Sequence, residues 1–218
     1  RGRHPLPSRE VFIATLRNWG VYPNSQVVVY DAHGGMFAAR LWWMLRWVGH
    51  QNVALLDGGL QAWQAGGGAM SAALMTRPRG SITLQTSLAP VVSADEVLAN
   101  LSQPTRLVID ARAPDRFRGE NETIDPVAGH IPGAKNRCFK DNLQADGRYK
   151  PAEQLRTEFS ALISALAGRG VEFRACNNTL TTRNIDPSKL ALEAKIVPSG
   201  VAEVARLQAK EGFVYLKP

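Results

Sequence analysis

The sequence predicts an α/β protein built from parallel sheets with helices on both faces. Two observations carry this. Short β-branched runs alternate with segments whose apolar residues recur at helical spacing. Strand, helix and strand also follow one another within about 30 residues, the length of a βαβ unit.

The elements follow in order. Val27-Val28-Val29-Tyr30-Asp31 reads as a buried parallel strand ending in an acid. Met36 to Val48 reads as a helix, with Leu41, Leu45 and Val48 inward and Gly49 at its end. Val53-Ala54-Leu55-Leu56 is the next strand, and Asp57-Gly58-Gly59 turns the chain towards Trp63. Gly66-Gly67-Gly68 and Arg77-Pro78-Arg79-Gly80 mark a connector. A second unit starts near Val92. Ser93 and Glu96 fit a capping box ahead of Val97, Leu98 and Leu101. Leu107-Val108-Ile109 is a strand ending at Asp110. The stretch from Arg112 to Lys150, rich in Gly, Pro, Asn and Asp, is expected to be irregular and functional. Pro151 suits the first turn of a helix carrying Leu155, Phe159, Leu162, Ile163 and Leu166. Val171 to Cys176 and Ala194 to Val197 read as strands. A short helix opens at Asp186-Pro187, a second is capped by Ser199 or Gly200 and ended by Gly212, and Phe213 to Leu216 closes as a strand.

Composition narrows the function classes. The chain has 218 residues, enough for one large or two small domains, and 44% of them are hydrophobic, enough for a packed core. No apolar run approaches the ~20 residues that span a bilayer, so no membrane role is expected. No leader is legible, although the chain does not begin with Met. The net charge of +7 fits either a solvated basic surface or attraction of a small anionic substrate. Nucleic acid is not expected as a partner, since there is no Lys/Arg run, zinc-finger spacing or RNA-binding aromatic signature. Two cysteines, Cys138 and Cys176, rule out a disulfide framework, and a reduced cytoplasmic setting is the default. Scattered histidines and the lack of a phosphate-binding glycine loop leave no metal or organic cofactor implied.

Three segments carry a family resemblance. His4-Pro5-Leu6-Pro7-Ser8, Asp57-Gly58-Gly59 with Trp63, and Gly129-His130-Ile131-Pro132-Gly133-Ala134 resemble the tandem-rhodanese sulfurtransferases of the thiosulfate and 3-mercaptopyruvate type. The likeness covers residues 1 to about 160. The first domain's own copy of the last motif is absent, which implies truncation at the N-terminus. From about 165 onward the chain resembles the C-terminal part of DsrE-type sulfur-relay proteins. The residues are Gly170 to Leu180, Val197-Pro198-Ser199-Gly200-Val201-Ala202-Glu203 and Gly212 to Pro218. The expected organisation is therefore a partial inactive rhodanese domain at 1–80, a partial second one at 81–165, and a DsrE-like segment at 166–218.

Both resemblances converge on Cys176. In the rhodanese family a cysteine ends the central strand of the second domain, inside a glycine-rich loop that stabilises thiolate and persulfide. Here Cys176 is followed by Asn177-Asn178-Thr179-Leu180-Thr181, without the glycines. Asn tolerates left-handed angles better than most residues and could partly substitute. In some DsrE-type members a cysteine at this strand end carries persulfide. The plain alternative is a buried apolar cysteine. In the first domain Asp31 stands where the sulfur would be, so the resemblance makes that half structural. Arg116 matches the arginine that binds the anionic end of substrate, its planar fork suiting a carboxylate or sulfonate. Glu120 to Asp125 offers no match for the second arginine of mercaptopyruvate-specific members, which favours thiosulfate. Arg174 and Arg183 are the local cations that would lower the Cys176 pKa. Arg112 is expected to pair with a neighbouring carboxylate, and His130 to shape its loop. Cys138 is expected to pack, and Trp42, Trp43, Trp47 and Trp63 to be core or interface anchors.

The resemblance implies transfer of sulfane sulfur from thiosulfate, in preference to 3-mercaptopyruvate, through a cysteine persulfide to a thiol or cyanide. The alternatives are a non-enzymatic persulfide carrier that docks with a sulfur-relay partner, or an inactive fusion remnant.

Overall fold

The computed structural model describes residues 4–73, 75–102, 105–167, 173–176, 180–181, 186 and 194–197. The chain divides into two compact units, one of residues 1–92 with 139–150, the other of 93–138 with 151–218. The expected helices after Asp186 and Ser199, and the closing strand, lie outside the described residues.

The first unit begins with α1 (Arg9–Asn18), where the Ser8 side chain accepts the Val11 N–H. Its apolar stripe buries Phe12, Ile13 and Leu16. Then come β1 (Val27–Val29), α2 (Met36–Trp47), β2 (Val53–Leu55) and α3 (Gly59–Ala65). β1 and β2 pair in parallel, Val27 opposite Val53 and Val29 opposite Leu55, the expected βαβ unit. Helix α2 packs on both strands. It brings Leu45, which is fully buried, into a cluster with Phe12, Leu16, Val29, Ala38, Met44 and Val48. Trp42, Trp43 and Trp47 pack against the cluster's edge, with Trp43 and Trp47 stacked at 5.8 Å. Trp63 is 45% exposed, and its indole N–H donates to the Ala69 carbonyl.

The connector is bound to this unit more closely than its Gly/Pro content suggests. Ile82 is buried in the cluster, and its N–H donates to the Val21 carbonyl at 3.1 Å. Arg17 Nε donates to the Ile82 carbonyl at 2.7 Å. Gly80 lies so close to Val21 that a Cβ there would sit 2.0 Å from the Val21 carbonyl oxygen. That contact requires glycine.

In the second unit, α4 (Ala94–Ser102) opens on the expected capping box. Glu96 N–H donates to Ser93 Oγ at 3.2 Å, and Ser93 N–H to Glu96 Oε2 at 2.7 Å. β3 (Ile109–Asp110) pairs in parallel with β4 (Lys135–Asn136). Between them stands α5 (Pro114–Arg118), started by Pro114. The stretch expected to be irregular thus holds short elements: Pro114 opens α5, and Asn136 Nδ2 donates to the Asp110 and Arg112 carbonyls at 3.0 and 2.9 Å. Helix α6 (Ala152–Ala167) follows Pro151, whose carbonyl accepts the Leu155 N–H. β5 (Phe173–Cys176) and β6 (Ala194–Val197) pair in parallel, Phe173 opposite Ala194 and Cys176 opposite Val197.

Candidate functional site

In the first unit, the chain leaves β1 through Asp31 and curls over Gly34 and Gly35 into α2. Both glycines have positive φ, 72° and 85°, which a side chain would strain. The curl points four backbone N–H groups at one carboxylate. Asp31 Oδ1 accepts from His33 at 2.8 Å and Gly35 at 2.9 Å, and Oδ2 from Phe37 at 2.9 Å and Ala38 at 2.8 Å. This is an anion cradle at a helix N-terminus, occupied by the chain's own carboxylate. Burial pushes the Asp31 carboxyl up, but the four donors together outweigh it and hold the group below its usual range. The geometry agrees with a structural Asp31: a carboxylate that fills its own cradle leaves no room for sulfur.

Residues 139–150 belong to the same unit. They form a short strap, a 3₁₀ turn at Phe139–Asn142 followed by an antiparallel bridge between Leu143 and Tyr149. The Tyr149 N–H donates to Asp57 Oδ1 at 2.7 Å, and the Tyr149 hydroxyl lies beside Gly35. Burial, then the Asp57 and Asp31 charges, push the Tyr149 hydroxyl above its ordinary pKa. Leu143 lies next to Gly34. The strap is therefore seated at the Asp31 loop.

The second unit concentrates its charge after β3. Arg112 grips Asp110 through Nε, at 3.0 and 3.1 Å, and through Nη2 at 2.6 Å. Its Nη2 also donates to the Gly129 carbonyl at 2.6 Å, so Arg112 ties β3 to the Gly129–Ala134 motif as a structural residue. The Arg112 guanidinium holds the Asp110 carboxyl below its usual range, against the effect of burial. His130 stacks on Phe117 at 3.6 Å, with its Nδ1 2.7 Å from the Phe117 carbonyl. The ring shapes the loop, as expected from the motif.

Arg116, on α5, is held by two carboxylates. Its Nε donates to Glu122 Oε2 at 3.0 Å. Its Nη2 donates to Glu122 Oε1 and Oε2, both at 2.9 Å, and to Asp125 Oδ2 at 3.0 Å. Glu122 also accepts the N–H groups of Ile124 and Asp125, both at 2.9 Å. The Asp125 N–H first, then Arg116, bring the Glu122 carboxyl down to about 2, with burial opposing. Neither carboxylate was expected as a partner of Arg116. The only signal in the sequence was acids six and nine residues after the arginine, a spacing that a free loop does not interpret.

The other expected site residues stand as follows. Cys176 is the last residue of β5, and Arg174 lies two places before it, opposite Lys195. Arg183 lies outside the described residues. The described partners of Arg116 all fall within residues 115–125. Cys138 is buried. Among the described residues no group of His, Cys, Asp or Glu could hold a metal ion, and no helix is long and apolar enough to cross a membrane.

Comparison with known proteins agrees with both resemblances. Residues 2–66 match the rhodanese-like domain, and residues 138–218 match the DsrE/DsrF-like family. A probable 3-mercaptopyruvate sulfurtransferase of Pseudomonas aeruginosa is 47% identical over 186 residues, 81% of this chain and 65% of that protein. A putative thiosulfate sulfurtransferase of Mycobacterium tuberculosis is 40% identical over 153 residues, 68% of this chain and 53% of that protein. The crystal structure of the 3-mercaptopyruvate sulfotransferase SseA from Escherichia coli superposes with a TM-score of 0.63 at 28% identity. It covers 88% of this chain and 72% of its own. The chain thus spans between about half and two thirds of the curated relatives named here. It is an α/β protein whose first part is similar to a rhodanese-like domain and whose last part is similar to the DsrE/DsrF-like family.

Proposed function

We propose that the chain is a sulfurtransferase that carries sulfane sulfur on Cys176. The Cys176 thiolate attacks the outer sulfur of thiosulfate. A new S–S bond forms as the old one breaks, sulfite leaves with the electron pair of that bond, and the enzyme holds a persulfide. A thiolate or cyanide then takes the outer sulfur and returns Cys176 to thiolate, so no external oxidant or reductant is needed. Arg116 orients the anion, and Arg174 and Arg183 favour the thiolate. Thiosulfate is preferred to 3-mercaptopyruvate, because Asp125 stands in a stretch with no second substrate arginine. The organisation is two partial rhodanese domains, 1–80 and 81–165, followed by a DsrE-like segment, in a reduced cytoplasmic setting.

The observation that supports this most is the position of Cys176 at the carboxyl end of a parallel strand, β5. Ligands of α/β sheets gather beyond such ends. The test is intact mass after incubation with thiosulfate, parent against Cys176→Ser. The expected result is a gain of one sulfur, reversed by reductant and absent in the variant. A folded parent that gains nothing would overturn it.

A second reading is a DsrE-type carrier without turnover, favoured by the DsrE/DsrF-like match, which spans Cys176. It differs in its donor: sulfur would come from a partner protein's persulfide, and thiosulfate would leave no mark.

A further inference from the structure

The first unit holds a cleft that the proposed chemistry does not use. It lies between the turn that joins α2 to β2 and the connector, and His50, Gln51, Asn52, Ile82, Thr83 and Gln85 line it. Its volume is about 250 Å³. Sites for drug-sized molecules run to ~300–1,000 Å³, so this one suits a smaller ligand. Its walls are held together by the backbone. The Gln85 N–H donates to the Val48 carbonyl at 3.1 Å, and the Gln85 carbonyl accepts Arg9 Nη2 at 2.6 Å. Gly49, at φ 88°, lets the connector close in: a Cβ there would sit 2.4 Å from the Gln85 Cβ.

The lining is polar without being ionic. His50 is buried, 5% exposed. Its Nε2 lies 2.9 Å from the Ser25 carbonyl oxygen, which can only accept, so Nε2 carries the hydrogen. In the neutral ring Nδ1 then offers a lone pair. Nδ1 has no partner among the described residues, yet it is not sealed from solvent; it opens on the cleft that His50 lines. The Gln51 and Asn52 carboxamides also have no partner among the described residues, and each can both donate and accept. No Lys, Arg, Asp or Glu is among the described residues that line the cleft. A charged ligand would shed its water there with no countercharge to meet it.

We propose that this cleft binds a small uncharged carboxamide, whose N–H donates to His50 Nδ1 and whose carbonyl accepts from the Gln51 or Asn52 amide. A carboxamide presents a donor beside an acceptor, which matches a buried lone pair next to amide N–H groups. Ile82, 3% exposed, supplies an apolar wall for the rest of the molecule. The same chemistry turns away an anion such as thiosulfate, so the cleft is not a second donor site. Its lining comes from the α2–β2 turn and from the connector, and an occupied cleft therefore fastens one to the other. The inference is independent of the chemistry proposed for Cys176.

The test is a titration of the full chain with nicotinamide at about pH 8, where an ordinary imidazole is neutral, followed through the backbone amide resonances by NMR. Saturable shifts are expected at Gly49, Gln51, Asn52, Thr83 and Gln85, with a millimolar Kd, the usual scale for so small a ligand. Nicotinate has the same shape with a carboxylate in place of the amide, and is expected to bind at least about tenfold more weakly. Two variants probe the site. Thr83→Trp, at an exposed position, fills the cleft, and His50→Phe keeps a ring but removes Nδ1. Both are expected to lose the shifts. A parent chain that shows no saturable shift up to about 50 mM nicotinamide would overturn the site. Shifts that survive Thr83→Trp unchanged would overturn it too, and nicotinate binding as tightly as nicotinamide would overturn the uncharged class. His50→Phe also loses the bond to Ser25. If that variant does not fold, Thr83→Trp decides alone; if it folds and binds as the parent does, the role of Nδ1 is overturned.

Discussion

Asp31 follows the parallel strand β1 and Cys176 ends the parallel strand β5, and the proposed function gives the two positions opposite uses. Asp31 follows β1, and its carboxylate receives four backbone N–H groups from the loop and the first turn of α2. The site is complete within itself. Cys176 ends β5, and the resemblance assigns it a thiolate that needs an incoming sulfur to complete its chemistry. A strand end feeding a helix supplies electropositive donors whichever residue is placed there. At Asp31 those donors are taken up by the chain's own carboxylate. Glu122 is an intermediate case: two backbone N–H groups and a guanidinium neutralise it, and through it Arg116 is both positioned and restrained.

The two units also differ in how they are held together. Among the described residues the buried apolar cluster lies in the first unit, around Leu45 and α2. Among the described residues the second shows the ion pairs around Arg112 and Arg116 and the long helix α6, with Ala134, Cys138 and Leu180 buried. Leu45→Ala should therefore have the largest effect on stability, about 2–5 kcal/mol, because it empties a fully buried position. Denaturant unfolding would measure it, and a loss below about 1 kcal/mol would sink the idea that this cluster supports the first unit.

Asp31→Ala tests the self-filled cradle. It leaves four N–H donors without their acceptor, and a loss of about 1–3 kcal/mol is expected in the same unfolding measurement. Sulfur loading of Cys176 should persist in this variant, since Asp31 is structural in the proposed reading. If unfolding is unchanged but loading disappears, the structural role given to Asp31 is overturned.

The smallest effect is present near neutral pH and disappears in acid. Glu122 has a folded pKa of about 2, below its ordinary value of 4.5. Its contribution is therefore present in full above about pH 4.5 and is lost as pH falls through about 2. The melting temperature of Glu122→Gln should lie below that of the parent near neutral pH, and the gap should close across this window. A gap that stays constant down to pH 2 would show that the charge on Glu122 does not hold the Arg116 loop.

Much of this chain was legible because the relevant signals are local. The β-branched runs at Val27 and Val53, the helical spacing of Leu41, Leu45 and Val48, and the Ser93–Glu96 box each act within a few residues and form the expected elements, although the first strand, read as buried, leaves Val28 exposed. Strand ends are legible for the same reason, which is why the sequence alone places Asp31 and Cys176 at such ends. The destination of the loops was not legible. Nothing in Ala32 to Met36 announces that four N–H groups converge on Asp31, because convergence depends on the φ values that Gly34 and Gly35 adopt. The Tyr149 N–H reaches Asp57 across 92 positions of sequence, and Arg116 is shared by acids six and nine residues later. Periodicity and capping are properties of adjacent residues, so the amino-acid sequence decided them alone. Which charged groups meet depends on how an irregular segment is folded back on itself, and only the tertiary structure decided that.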